Sequence, residues 1–150
     1  MPNIPNDIVA RRIRYLIDEA KSLNPQYDMS ITFTMRLISN YASIGIGAAD
    51  SEKVKRLNTR MSTEARKLFN KADFTEFHEA TINEHPFPLK KLWEQIVKDH
   101  CSLTPEEVWH FFVKYPMITV TKHENKRLGL IRAFDSPEHR YELASITIST

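Results

Sequence analysis

The chain has 150 residues, of which 41% are hydrophobic and 27% charged, a balance typical of one globular domain. Three glycines argue against a glycine-rich phosphate loop, and a single cysteine excludes an internal disulfide framework. There is no run of about 18 apolar residues and no secretory signal, so we expect a cytoplasmic protein without a membrane partner.

The net charge of +2 is unevenly distributed along the chain. Residues 1–72 carry 12 Lys/Arg against 7 Asp/Glu, whereas residues 73–150 carry 9 against 12 and hold all six histidines. We therefore interpret the chain as a single domain with a basic helical N-terminal half and a histidine-containing α+β C-terminal half. A basic grip beside an acidic, metal-attracting site fits this pattern, and so does an uneven distribution of charge over solvated helices.

Helical spacing of apolar residues dominates the first half. One helix is expected over residues 6–23, and a second over residues 30–41, where strand-like alternation competes with helical spacing. A third is predicted as one long helix over residues 50–71, with the most basic surface in the chain. Contacts with nucleic-acid phosphates and a plain solvated face are its two interpretations. The residues expected to contact phosphate there are Lys53, Arg56, Arg60, Arg66 and Lys67.

The second half is predicted to alternate short strands with helices. Strands are expected over residues 80–83, 117–120 and 141–148, helices over residues 89–100, 104–115 and 121–133, and a turn over residues 135–138. Two of these helices begin with a capping box, Thr104 with Glu107 and Thr121 with Glu124. The predicted fold class is therefore α+β, predominantly helical, with a small β-sheet contributed by the C-terminal half.

Two short polar clusters stand beside the predicted strands. One is Asn83-Glu84-His85-Pro86, and the other is Lys122-His123-Glu124-Asn125. His, Glu and Asn bind metals and transfer protons near neutral pH, and loops that leave a rigid strand often carry catalytic groups. If both clusters are functional, the two strand ends should converge on one point. Exposed surface pairs, and a capping role for Glu124, are the structural alternatives.

Roughly residues 80–128 resemble the ββα-metal (His-Asn-His) nuclease pattern, through Asn83-Glu-His-Pro-Phe-Pro-Leu and, after a strand, Glu124-Asn-Lys-Arg-Leu128. The resemblance implies that His85 is the general base, that Asn125 orients it, and that Glu84 and His123 bind a divalent metal, Mg²⁺ or Mn²⁺. The chain departs from the pattern in having two predicted helices between the strands, and its only later histidine, His139, follows a Ser-Pro turn and does not lie on the final helix.

Two classes of function follow from the sequence. The first is a metal-dependent endonuclease acting on DNA or RNA. The second is a non-enzymatic nucleic-acid-binding, regulatory or adaptor module that needs no cofactor. In the second class the stretch 104–133 imitates a helix-turn-helix motif, whose second helix presents Lys126 and Arg127 to nucleic acid. Assembly into a homo-oligomer is compatible with either class.

Overall fold

Two separate stretches of sequence build each of the two units into which the computed structural model divides. The structure describes residues 3–149. Unit 1 comprises the chain up to Ala48 together with Phe87–Pro116, and unit 2 comprises Ala49–Pro86 and the chain from Met117 onward. This division does not coincide with the basic and histidine-containing halves of the sequence.

Helices make up most of the described chain, with short strands between them. In chain order they are α1 (Asp7–Ala20), α2 (Met29–Ile44), α3 (Ser51–Leu57), β1 (Met61–Ser62), α4 (Thr63–Lys71), α5 (Phe74–Ala80), β2 (Thr81–Glu84), α6 (Leu89–Asp99), α7 (Pro105–Lys114), β3 (Ile118–Thr121), α8 (Lys122–Leu130), α9 (Pro137–Leu143) and β4 (Ile148–Ser149). Across residues 3–149 the fold is therefore α+β and predominantly helical, which confirms the prediction.

Unit 1 consists of α1, α2, α6 and α7 around an apolar core. Its fully buried side chains recur at helical spacing, as in Val9, Ile13 and Leu16 of α1 and in Ile96 of α6. Each such side chain contributes about 1.5–3 kcal/mol on burial. Helix α7 begins with the predicted capping box, which Thr104 forms with the third helical residue.

A four-stranded sheet with the order β2-β3-β1-β4 forms the centre of unit 2. Strand β3 pairs antiparallel with β2 and parallel with β1, and β1 pairs antiparallel with β4. Residues that face each other in neighbouring strands share a face of the sheet. One face therefore carries Val120, which packs in an apolar cluster with Leu128 and Tyr141, and the opposite face carries Met61, which packs with Phe77.

The prediction of one long basic helix over residues 50–71 is wrong, because the helix ends at Leu57. Asn58 takes an extended conformation, and its buried side chain donates to the carbonyl of Met117 at 3.1 Å and to Oγ1 of Thr119 at 3.2 Å. These bonds tie the break to β3. Ser62 then caps a new helix by accepting from the backbone N–H of Ala65 at 3.0 Å.

Helix α9 replaces residues 141–143 of the strand predicted over residues 141–148 and begins inside the predicted turn. Ser136 accepts from the backbone N–H of His139 at 3.1 Å, and Pro137 occupies the first helical position, so the Ser-Pro pair starts a helix. Ser145, at φ 57°, lies just beyond its end, and only the short β4 follows. The predicted strand was therefore wrong over most of its length.

Candidate functional site

The two polar clusters lie at opposite ends of the β2–β3 pairing. Glu84 pairs with Ile118, and Thr81 pairs with Thr121. The chain therefore leaves β2 toward His85 where β3 begins, three residue steps or roughly 10 Å from the end where β3 leads into α8. His123 and Asn125 belong to the first turn of α8. The antiparallel register thus separates clusters that were expected to converge.

Glu84 is a buried carboxylate with donors on both oxygens. Arg140 donates from Nη1 to Oε1 at 2.9 Å, and the hydroxyl of Tyr141 donates to Oε2. Burial raises the pKa of Tyr141 well above its ordinary value, and the Glu84 carboxylate beside it raises it further. The phenol therefore stays a donor at working pH. This arrangement joins β2 to α9.

A metal ion does not fit the ligands that the sequence suggested. The guanidinium of Arg140 already lies 2.9 Å from Glu84 and repels a second cation there. His123 is exposed and begins at the other end of the strand pairing. Within residues 3–149 no group of three or more His, Cys, Asp or Glu side chains is arranged to hold a metal. Glu84 and His123 thus do not form a shared site.

His85 itself is half-buried, and its Nε2 is screened from solvent. A general base must reach the water that it activates, directly or through one further water. A screened Nε2 does not favour that role. The catalytic functions of His85 and Asn125 consequently remain predictions drawn from the resemblance.

Glu124 has the capping role that the sequence indicated as its alternative. It is 2% exposed and accepts from the backbone N–H of Thr121 at 2.9 Å and from Oγ of Ser62 at 2.5 Å. Because Ser62 caps α4 and Thr121 caps α8, one carboxylate links the starts of two helices that follow the parallel strands β1 and β3. Both of these hydrogen bonds are accepted by Oε1, which therefore has a structural role.

Lys55 is a functional candidate that the sequence reasoning missed. It is 3% exposed, and its Nζ donates to the carbonyls of His78 and Thr81, each at 2.8 Å, and lies 3.0 Å from Nδ1 of His78. Burial lowers the pKa of Lys55, and the charge of Lys122 lowers it further. No signal in the sequence distinguished Lys55 from the exposed basic residues beside it on α3, Lys53 and Arg56.

A cavity of about 280 Å³ opens between α3, α4 and α5 and has mostly aromatic walls. Phe77 is buried, and its ring centroid lies 5.3 Å from that of Phe69 and 5.8 Å from that of Phe74. The guanidinium carbon of Arg56 lies 3.6 Å above the centre of the Phe74 ring, and that of Arg66 lies 5.7 Å from the centre of Phe69. Two arginines from different helices therefore lie beside aromatic rings that line this cavity.

The remaining residues proposed for phosphate contact are exposed on unit 2 but do not share one helix face. They are Lys53, Arg60, Lys67, Lys126 and Arg127. Lys67 forms an exposed ion pair with Glu64 at 3.2 Å, and Nε of Arg127 donates to the carbonyl of Ala144 at 2.9 Å. The break after Leu57 is what separates the residues of α3 from those of α4.

Neither the family models, the curated proteins nor the solved structures compared with this chain gave a match. Among residues 3–149, no helix combines the length and the apolar character needed to cross a membrane. The function proposed for this chain therefore depends on the chemistry of its own residues.

Proposed function

We propose that unit 2 binds nucleic acid through its backbone phosphates. The observation that carries this proposal is that Arg56 and Arg66, ten positions apart, stand beside rings of the same aromatic cavity. Guanidinium groups donate in a planar fork that matches phosphate oxygens, and they stack on aromatic faces at the same time. We call Arg56, Arg66, Phe69, Phe74 and Lys122 the basic–aromatic surface.

Strand pairing places Lys122 near this surface, because the residue before it, Thr121, pairs with Thr81, whose carbonyl accepts from Nζ of Lys55 at 2.8 Å. The imidazole of His78 stacks on the ring of Phe74, at a centroid distance of 6.2 Å and an angle of 6°. Nζ of Lys55 lies 3.0 Å from Nδ1 of that imidazole, and Lys122 is close enough to lower the pKa of Lys55. Two cations that repel each other work against the fold, and a bound phosphate near Lys122 would offset that repulsion.

The two arginines contribute little to folding, which makes them good probes of binding. Arg56 pairs with Glu52 at 3.2 Å, but their side chains are 55% and 51% exposed. Exposed pairs of this kind contribute about 0–1 kcal/mol to stability. Arg66 donates to the carbonyl of Thr59 at 2.9 Å, also at the surface. Both guanidinium groups therefore remain within reach of an external anion.

The experiment measures binding of a fluorescein-labelled oligonucleotide by anisotropy at several salt concentrations. The affinity of the wild-type chain should fall linearly with salt on logarithmic axes. Replacing Arg56 and Arg66 together by Ala should weaken binding and flatten the slope by about 1.4, which is about 0.7 for each lost contact with a single strand.

A matched control removes the same charge from exposed positions of unit 1. Arg12 and Arg14 are exposed on α1, and their joint replacement by Ala changes the net charge equally. This variant should retain the wild-type slope. Absence of wild-type binding at low salt, or an equal loss in both double variants, would reject phosphate binding by the basic–aromatic surface.

A further inference from the structure

We infer that the cavity lined by Phe69, Phe74 and Phe77 accepts one unpaired nucleobase, so that single-stranded nucleic acid is the ligand class of unit 2. This inference rests on the proposed function and adds to it a position for the base. Phosphate contacts alone do not distinguish a single strand from a duplex.

The wall of the cavity is apolar and open. Phe69 is 39% exposed, although a ring of this size gains free energy when it is removed from water. Phe77 forms the floor, with Phe69 meeting it edge-on at 77° and Phe74 meeting it at 50°. A flat, largely apolar group would cover these rings better than water does.

The size of the cavity limits what it can hold. The cavity measures about 280 Å³, just below the range of about 300–1,000 Å³ that is usual for pockets of drug-sized ligands. It suits one planar ring system with little else. Every nucleobase presents an aromatic face, so stacking in such a cavity tolerates any sequence.

Two arginines place positive charge near the cavity. Arg56 already stacks on Phe74 at 3.6 Å and is 55% exposed at its side chain, so its remaining N–H groups are accessible to an anion. Arg66 lies beside Phe69, with its guanidinium carbon 5.7 Å from the centre of that ring. A base stacked in the cavity would therefore have two guanidinium groups nearby, which can contact the phosphates of its own strand.

The cavity should select against a duplex. Paired bases are stacked inside the double helix, and taking one out costs a few kcal/mol. A single strand does not pay that cost. The cavity should consequently bind single strands more tightly than the same sequence in a duplex, with phosphate contacts common to both.

The test compares a labelled single-stranded oligonucleotide with its duplex, using the full chain and the variant Phe69→Ala. Loss of one stacked base should weaken single-strand binding about 5- to 150-fold, which corresponds to about 1–3 kcal/mol. Duplex binding and the salt slope should stay unchanged. Phe33→Ala is the matched control, because Phe33 is 61% exposed on α2 in unit 1 and should have no effect.

A second variant and a second signal keep the test decisive if Phe69→Ala folds poorly. Phe69→Leu keeps an apolar side chain but removes the aromatic face, and it should weaken single-strand binding in the same direction. An oligonucleotide that carries 2-aminopurine should lose fluorescence on binding to the wild type, because this base is quenched when it stacks. That quenching should be absent with Phe69→Leu and present with Phe33→Ala.

The outcomes separate the two proposals. If the wild type binds neither single strand nor duplex at low salt, the proposed function is rejected and base binding with it. If both bind, the double Arg56 and Arg66 variant is weakened and Phe69→Ala is not, phosphate binding stands and the base site is overturned. Equal weakening of single strand and duplex by Phe69→Ala would overturn the base site as well.

Discussion

Replacing Glu84 by Gln is the sharpest test of how unit 2 is held together. Gln keeps the shape of the side chain but replaces one carboxylate oxygen by an NH₂ group, which can only donate. Both original oxygens face donors, Nη1 of Arg140 at 2.9 Å and the hydroxyl of Tyr141. The amide therefore loses one acceptor, and the guanidinium loses its counter-charge.

The structure sets the size of the loss. Removing one partner of a buried ion pair usually costs about 3–5 kcal/mol, because the other charge stays buried without compensation. Here the side chains of Glu84 and Arg140 are 10% and 15% exposed, and Nη2 of Arg140 keeps the carbonyl of Leu128 at 3.1 Å. We therefore expect a loss of about 2–4 kcal/mol, a large part of the 5–15 kcal/mol typical of a folded domain.

Urea unfolding followed by two signals measures this loss. Far-ultraviolet circular dichroism reports the helices of both units, whereas the tryptophans, Trp93 on α6 and Trp109 on α7, both belong to unit 1. We expect Glu84→Gln to lower the free energy of unfolding that is measured from the circular dichroism transition. Glu142→Gln, at an exposed position of α9, is the matched control and should stay within about 0.5 kcal/mol of the wild type.

The same titration separates a structural carboxylate from a metal ligand. A structural role predicts the full loss in the presence of EDTA, since Arg140 and Tyr141 act without a metal. A loss seen only with added Mg²⁺ or Mn²⁺ would instead support the ligand role that the sequence suggested for Glu84. A change smaller than about 0.5 kcal/mol in EDTA would refute the buried ion pair.

Three further predictions concern other groups of unit 2. Tyr141 keeps a raised pKa in the folded state while its unfolded pKa is about 10, so folding stability should fall by about 1.4 kcal/mol per pH unit above pH ~10. Tyr141→Phe should remove that decline in urea titrations between about pH 9 and 11, and an unchanged slope would contradict burial of the phenol. Lys55→Met removes the donor to two carbonyls and should cost about 1–3 kcal/mol in thermal unfolding, whereas a stabilised variant would show that burying the ammonium outweighs its hydrogen bonds. Plasmid DNA incubated with Mg²⁺ or Mn²⁺ should show the same pattern for the wild type and His85→Ala, and a cleavage lost only in the variant would restore His85 as the general base.

Local patterns in the sequence predicted most helices, because helix formation depends on nearby residues. The apolar stripe of α1, the capping box at Thr104 and the capping box at Thr121 were all visible in windows of a few residues. The break after Leu57 was not. It depends on Asn58 bonding to Met117 and Thr119, which lie about sixty positions further along the chain. Because the helical spacing of apolar residues continues across the break, the sequence pattern does not reveal it.

The candidate site was harder to predict for the same reason. Polar residues after two strands suggest a shared site only when the strands run in the same direction. Strand β2 runs antiparallel to β3, so its exit at Glu84 lies beside the entry of β3 at Ile118. Strand direction depends on pairing across the sheet, which one sequence does not reveal. The meeting of Arg56 with Phe74 likewise depends on how separate helices pack.

The buried acids of unit 2 have structural roles. Both oxygens of Glu84 accept from donors of the protein, and Oε1 of Glu124 accepts from Ser62 and Thr121, so both acids hold secondary structures together. The arginines at the cavity, Arg56 and Arg66, remain at the surface beside aromatic rings. A metal site needs the opposite arrangement, with acids directed at a common point and cations kept away. We therefore propose these two arginines, and not the two buried acids, as the ligand-contacting groups of unit 2.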